Sequence, residues 1–214
     1  MIAVIDYGMG NLRSVMNAFH ALGEAAQATS DPARLREADA IVLPGVGAFG
    51  DGMRQLRQAG FVEALDDSVV RQGKPFLGIC LGMQLLATTG LEHGRHAGLG
   101  WIPGRVERLP VPPQEPSLRI PHVGWNDVRV LTREGLYEGA GESPVFYFVH
   151  SYALQPEDPS VVSGVCAYGV EFAASLARGN IWATQFHPEK SHLAGLSLLR
   201  NFANLQRSTC SRSA

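Results

Sequence analysis

The chain is poor in cysteine, in charge and in long apolar stretches, and each shortage excludes something. Three cysteines (Cys80, Cys166 and Cys210) are too few and too scattered for a disulfide framework, so a reducing cytoplasm is the expected compartment. Charged residues make up only 18% of the chain and the net charge is −2. Without a strongly basic block there is no electrostatic footprint for a nucleic-acid backbone. No apolar run is long enough to span a bilayer. The stretch Met1 to Asp6 has neither a basic lead nor a cleavage-site pattern, so no signal peptide is expected. No Cys and His cluster has metal-ligand spacing, and neither a metal nor another cofactor is expected.

What remains is an ordinary globular composition, 45% hydrophobic over 214 residues, enough for one large domain with a substantial core. No internal repeat or linker divides it, so residues 1–207 are expected to form one domain, followed by a frayed tail at 208–214. The first half alternates strand and helix patterns. Ile2 to Asp6 is a short apolar run. Leu12, Val15, Met16, Phe19 and Leu22 then recur at helical steps, with Gly23 as a C-cap. Ala40 to Leu43 is a strand that Pro44 should stop. Met53 to Val70 is a helix broken at Gly60, Pro75 to Cys80 a strand, and Leu81 to Ala87 a helix. This alternation implies an α/β fold with a mostly parallel central sheet flanked by helices. The second half begins with a loop rich in proline (Pro110, Pro112, Pro113, Pro116). Strand-like runs follow at 122–130, 145–149, 160–168, 170–177 and 180–186, expected to add antiparallel strands. A last helix, about 191–205, carries Leu193, Leu196, Leu199, Phe202 and Ala203 on one face.

Gly78-Ile79-Cys80-Leu81-Gly82 sits where a strand meets a helix, and has the form of a nucleophile elbow with cysteine at its tip. A sharp turn strains the nucleophile's backbone, and side chains two residues either side would collide. Glycine at both places removes them. The following helix start favours thiolate. A lone cysteine beside glycines is as readily a core residue. A second pattern tips the balance. His187 and Glu189 in Gln185-Phe186-His187-Pro188-Glu189 point to one side of an extended chain. The carboxylate can orient the imidazole, leaving its other nitrogen to face a thiol. Both motifs fall at the carboxyl ends of strands, where open α/β sheets place their sites. Acyl transfer also needs oxyanion donors: the Leu81 N–H, next after the nucleophile, and one from the turn Pro44-Gly45-Val46-Gly47, at Val46.

The runs Gly78 to Gln84 and His187-Pro188-Glu189 resemble class I (triad-type) glutamine amidotransferases. Four further runs narrow the resemblance: Asp6 to Val15, Leu43 to Phe49, Pro121 to Asn126 and Tyr147 to Tyr152. They resemble the glutaminase subunits of imidazole glycerol phosphate synthases, over residues 1 to about 205. The resemblance implies L-glutamine as substrate, Cys80 as nucleophile, His187 as base and Glu189 as its orienter. It implies a (β/α)8-barrel synthase partner in a heterodimer. There the ammonia would convert a ribulosyl-formimino nucleotide into imidazole glycerol phosphate and an aminoimidazole carboxamide ribotide, in histidine biosynthesis. By the same resemblance Gly47, Gln84, Glu92, Ser151 and Tyr152 would hold glutamine, and Asn11, Arg13, Trp125, Tyr147 and Lys190 would lie near the partner.

The residues read alone leave blander roles open. Gln84 can be a solvated helix residue, Trp125 and Tyr147 core aromatics, and Lys190 a free surface charge. Other functions also remain open: a glutaminase subunit for anthranilate, aminodeoxychorismate or guanylate synthesis, a stand-alone γ-glutamyl peptidase, or a binding module with an inert Cys80.

Overall fold

The computed structural model of the chain describes residues 1–110 and 118–210, and side chains as far as Leu205. The strands are β1 (Ile2–Ile5), β2 (Ala26–Thr29), β3 (Ala40–Gly45), β4 (Phe76–Cys80), β5 (Ala87–Gly90), β6 (His96–Ala97) and β7 (Ile102–Arg108). They continue with β8 (His122–Asp127), β9 (Arg129–Val130), β10 (Val145–His150), β11 (Tyr152–Pro156), β12 (Val162–Tyr168), β13 (Val170–Arg178) and β14 (Ile181–Thr184). The α-helices are α1 (Leu12–Ala21), α2 (Phe49–Gln58), α3 (Phe61–Leu65), α4 (Leu81–Gln84) and α5 (His192–Cys210). No helix among the described residues is long and apolar enough to cross a membrane.

The central sheet runs β2-β1-β3-β4-β14-β13-β12-β9. Its first five strands are parallel, and β13, β12 and β9 extend it antiparallel. The expected α/β sheet with antiparallel additions is therefore the observed one, except that the 180–186 run, expected among the antiparallel strands, forms β14, parallel to β4. Alternate residues of the parallel strands feed two layers, as the pleat dictates. Ala3, Ile5, Ile41 and Leu43 pack with Met53, Leu56, Phe61 and Leu65 of α2 and α3. Ile2, Val4, Ala40 and Val42 pack with Val15 and Phe19 of α1 and Leu199 and Phe202 of α5. Each fully buried Phe or Leu here contributes about 1.5–3 kcal/mol over leaving it in water.

Several expectations need correction. Pro44 does not stop β3, which pairs with β4 through Pro44↔Ile79 and Gly45↔Cys80. The pairing of β3 with β1 ends at Val42, so the proline sits where one neighbour is already gone. The helix expected to reach Ala87 ends at Gln84, and Ala87 opens β5. A separate four-stranded sheet, β11-β7-β5-β6, went unforeseen, as did β2. Their sequences (ATTG, IPGRVER, AQAT) lack the large apolar residues or clean alternation that reveal strands, and Pro103 and Gly104 obscure β7. The 122–130 run divides: β8 pairs with β10 as a two-stranded sheet, and β9 joins the central one. Leu193 is 80% exposed, not buried. It lies nine residues before Phe202, about 180° around the helix from that buried ring. Helix α5 continues to Cys210, into the segment expected to fray, while residues 211–214 and most of the proline-rich loop lie outside the described residues.

Candidate active site

The sheet order β3-β4-β14 assembles the site. Gly45 pairs with Cys80, and Thr184 with Ile79. The turn after β3 and the loop after β14 therefore flank the end of β4, although they are far apart in sequence. Cys80 has φ 55 and ψ −108, strained for a residue with a Cβ, and directly precedes α4. Only glycines fit around it: a Cβ on Gly82 would lie 1.9 Å from the Leu43 carbonyl oxygen, and one on Gly78 2.7 Å from the Gly82 carbonyl oxygen. The amide of Leu81, first residue of α4, has no acceptor within its own helix.

Glu189 Oε1 lies 2.7 Å from His187 Nδ1, with the two side chains 1% and 2% exposed. A hydrogen bond from the Ser191 hydroxyl to the His187 carbonyl (2.6 Å) braces the loop, and the Tyr147 N–H donates to the same hydroxyl at 3.0 Å. Burial disfavours the imidazolium, but Cys80 and Glu189 favour it more strongly, so the His187 pKa is pushed up to about 9. His187 Nε2 makes no hydrogen bond of ordinary geometry, and the Cys80 thiol points instead to the Val149 carbonyl, 3.9 Å away. The resting dyad is set but not closed, as is common before substrate binds.

Cys80, Leu81, Val46, Gly47, Gln84, Glu92, Ser151, Tyr152 and His187 all line one cavity of about 560 Å³, with Ala48, Val149, His150 and Lys190 completing the wall. Glu189 stands behind His187. A larger cavity, about 720 Å³, opens beside Pro32 and the 60–71 segment and holds none of these groups. The turn after β3 is tighter than its glycines suggest. Gly47 has φ +102, but a Cβ on Gly45 would lie 2.6 Å from the Tyr7 hydroxyl. Gln84 is buried, not solvated: its Nε2 donates to the Tyr152 carbonyl at 2.9 Å and to Gln185 Oε1 at 3.1 Å. Glu92 accepts the Phe49 N–H at 2.8 Å and so caps α2, whose N-cap residue Ala48 offers no side-chain acceptor.

Trp125 is 48% exposed, with its ring edge-on to Tyr147 at 5.7 Å and stacked on His192 at 4.9 Å. Lys190 Nζ lies 5.8 Å over the Tyr147 ring. These are surface groups beside the site, not core aromatics or a free charge. A shallow groove joins them to α1, lined by Ser14, Asn17, Glu189, Lys190 and His192. Asn11 caps α1 through the Ser14 N–H (3.4 Å), and Arg13 is exposed.

The residue reading passed over three groups that the structure brings to the site. Gln185 Nε2 lies 3.8 Å from Cys80 Sγ. His150 lines the cavity, and its Nε2 lies 3.1 Å from Nδ1 of the buried His122. His122 and His150 fall inside runs quoted for the resemblance, and Gln185 opens the stretch that carries the His–Glu pair, but a sequence does not say which members of a run face inward. Burial pushes the pKa of His122 down to about 4 and that of His150 to about 3. Unfolded, both would take up protons below about pH 6.5 that the folded chain refuses. Stability is thus retained above that pH and lost as pH falls from 6.5 toward 4. The melting temperature is expected to drop over that range, and to drop less in the His122→Gln/His150→Gln variant, which has neither proton to take up. Equal slopes in a thermal melt series would refute this origin.

The sequence model described as Glutamine amidotransferase class-I matches residues 3–205. The Imidazole glycerol phosphate synthase subunit HisH of Geobacter sulfurreducens is 51% identical over 207 residues, covering 96% of this chain and 99% of that one. The subunit of the same name from Methanothermobacter thermautotrophicus is also 51% identical over 207 residues, covering 97% and 100%. Among solved structures, PurLQS from Thermotoga maritima superposes with a TM-score of 0.73 at 20% identity, over 95% of this chain and 97% of that one, a likeness of fold alone. With its cysteine elbow, its His–Glu pair and a match along nearly its whole length, the chain belongs to the class-I glutamine amidotransferase family, in the group of the HisH subunits.

Proposed function

We propose that this chain is the glutaminase subunit of an imidazole glycerol phosphate synthase, hydrolysing L-glutamine to glutamate and ammonia for a synthase partner in histidine biosynthesis. The observation that carries the chemistry is the convergence of Cys80, Leu81, Val46 and His187 on one cavity, with Glu189 bonded behind His187. The near-complete match to HisH subunits supports this synthase over the anthranilate, aminodeoxychorismate and guanylate alternatives.

In this reading Cys80, once its proton has passed to His187, attacks the amide carbon of glutamine. The oxyanion takes hydrogen bonds from the Leu81 and Val46 N–H groups. His187 protonates the departing ammonia, then activates the water that releases glutamate from the thioester. Gly47, Gln84, Glu92, Ser151 and Tyr152 hold the substrate. Asn11, Arg13, Trp125, Tyr147 and Lys190 face a (β/α)8-barrel partner in a heterodimer. The exposed Trp125 ring beside Lys190 supports that assignment, since large apolar surface and charge next to a site suit a docking face. The reaction belongs in the cytoplasm, where free thiols stay reduced.

Ammonia is useful only unprotonated, so hydrolysis without a consumer is wasteful. The isolated chain is therefore expected to be nearly silent, with the Val46 donor turned away from the oxyanion until the partner docks. One oxyanion donor is worth about 10²–10³ in rate. Glutamine hydrolysis is to be measured for the chain alone, with the barrel subunit, and with that subunit plus its nucleotide ligand. A rise of about that size across the series is expected. Equal rates in all three would sink the gating and favour a stand-alone peptidase.

A further inference from the structure

Gln185 precedes the His187 motif by two residues, yet the mechanism above gives it no task. Its side chain is fully buried, so both ends of its amide need partners. Which end faces the sulfur follows from the neighbours. The Tyr152 carbonyl can only accept, so the Gln84 atom 2.9 Å from it is the NH₂ nitrogen. That nitrogen's second hydrogen points to Gln185 at 3.1 Å, so Gln185 meets it with its oxygen. The Gln185 NH₂ is left facing Cys80 Sγ at 3.8 Å.

The other donor to the Tyr152 carbonyl is equally determined. His150 Nδ1 lies 2.9 Å from it and must carry the hydrogen. A neutral imidazole then has an acceptor at Nε2, which takes the hydrogen of His122 Nδ1 at 3.1 Å. His122 Nε2 in turn accepts from the Asn126 NH₂ at 3.3 Å, and the Asn126 oxygen accepts the Asp127 N–H at 2.9 Å. Every hydrogen from Asn126 to the Tyr152 carbonyl points the same way. The carbonyl, with two lone pairs and two donors, is saturated and fixed.

We propose that Gln185 is a further catalytic residue, donating a side-chain N–H to the Cys80 sulfur, and that Gln84, anchored on the Tyr152 carbonyl by the Asn126–His122–His150 chain, holds it in that pose. The donor favours thiolate over thiol, because a hydrogen bond to a charged acceptor is the stronger one. Gln84 thereby acts on the nucleophile as well as lining the substrate cavity. Asn126 lies on β8 next to Trp125, so the chain of hydrogen bonds begins one residue from the face assigned to the partner. The inference rests on Cys80 being the nucleophile, but not on which synthase is served.

The test is alkylation of Cys80 by iodoacetamide in the full-length chain, which needs neither glutamine nor partner. Gln185→Met keeps the volume and removes the donor. Gln84→Leu leaves Gln185 in place but frees its oxygen. Both are expected to slow alkylation about tenfold at pH 7 and to shift its pH profile upward, with the rate recovered at high pH. A packing role alone would lower the melting temperature and leave the pH profile unmoved. A wild-type profile in either folded variant would overturn the proposal. Should neither variant fold, the unmutated chain still answers. The Gln185 side-chain amide proton resonance is expected to shift with pH in step with the alkylation profile, and a resonance indifferent to it would equally overturn the proposal.

Discussion

Cys80→Ala is expected to abolish glutamine-dependent turnover in the assembled synthase while turnover on added ammonia continues. The sulfur is the only group in the cavity placed at the tip of a strand–helix elbow, with an N–H of the next residue beside it. Removing a nucleophile removes the covalent path altogether, a loss on the order of 10⁴-fold or more where such triads have been dissected. The substitution should leave the fold intact. The strain at φ 55 is a Cβ problem that alanine shares with cysteine, and the Cys80 side chain is small, joins an apolar cluster on one side and opens into the cavity on the other. Ammonia bypasses the glutaminase step, so its use reports on the partner and on correct assembly. A glutamine-dependent rate near wild type, in a variant of confirmed mass, would remove Cys80 from its role.

The second large effect separates His187 from Glu189. His187→Ala deletes the group that takes and returns the proton, and about 10⁴-fold or more should be lost from glutamine hydrolysis. Glu189→Gln should cost about 10²-fold less than that, the margin by which losing an orienting carboxylate is milder than losing the base where such triads have been dissected. A glutamine there can keep its carbonyl oxygen on His187 Nδ1, where Glu189 Oε1 now lies at 2.7 Å, and so keep the tautomer. What it loses is the negative charge that helps raise the His187 pKa to about 9. It also leaves an NH₂ where the buried Glu189 Oε2 has no partner, a desolvation cost of about 1–3 kcal/mol. Steady-state rates with glutamine, normalised to those with ammonia, decide the order. Glu189→Gln emerging as the worse variant would mean the carboxylate does more than orient.

The site was legible in the sequence where chemistry demands an unusual local pattern. Two glycines flanking a cysteine by two residues, and a His-x-Glu with proline between, are short-range signatures. Their reasons are steric and electrostatic and need no knowledge of the remaining chain. The clash of a Gly82 Cβ with the Leu43 carbonyl is the collision that the elbow spacing anticipates. The buried parallel strands β1, β3 and β4 were legible for a similar reason: covered on both faces, they read as nearly unbroken apolar runs. The half-exposed strands β2, β5, β7 and β11 were not. Their stabilisation comes from pairing with distant strands, and nothing in AQAT or ATTG announces a partner.

The sequence alone marked the cysteine elbow, the His-x-Glu pair proposed to serve it and the α/β class, because each follows from steric limits and periodicities within a few residues. Only the tertiary structure decided that Gln84 is buried and bonded to Gln185, that Glu92 caps α2 while lining the cavity, that Trp125 and Tyr147 lie at the surface, and that His122 and His150 stay neutral beneath the site. Those outcomes depend on which strands become neighbours. The order β3-β4-β14 carries Gly45 and Thr184 to either side of the Cys80 strand from opposite ends of the chain, and the pairing of β8 with β10 sets His122 against His150. A hydrogen bond or a desolvation penalty is a property of atoms that meet in space, and such meetings are written in the sheet order, not in the spacing of residues along the chain.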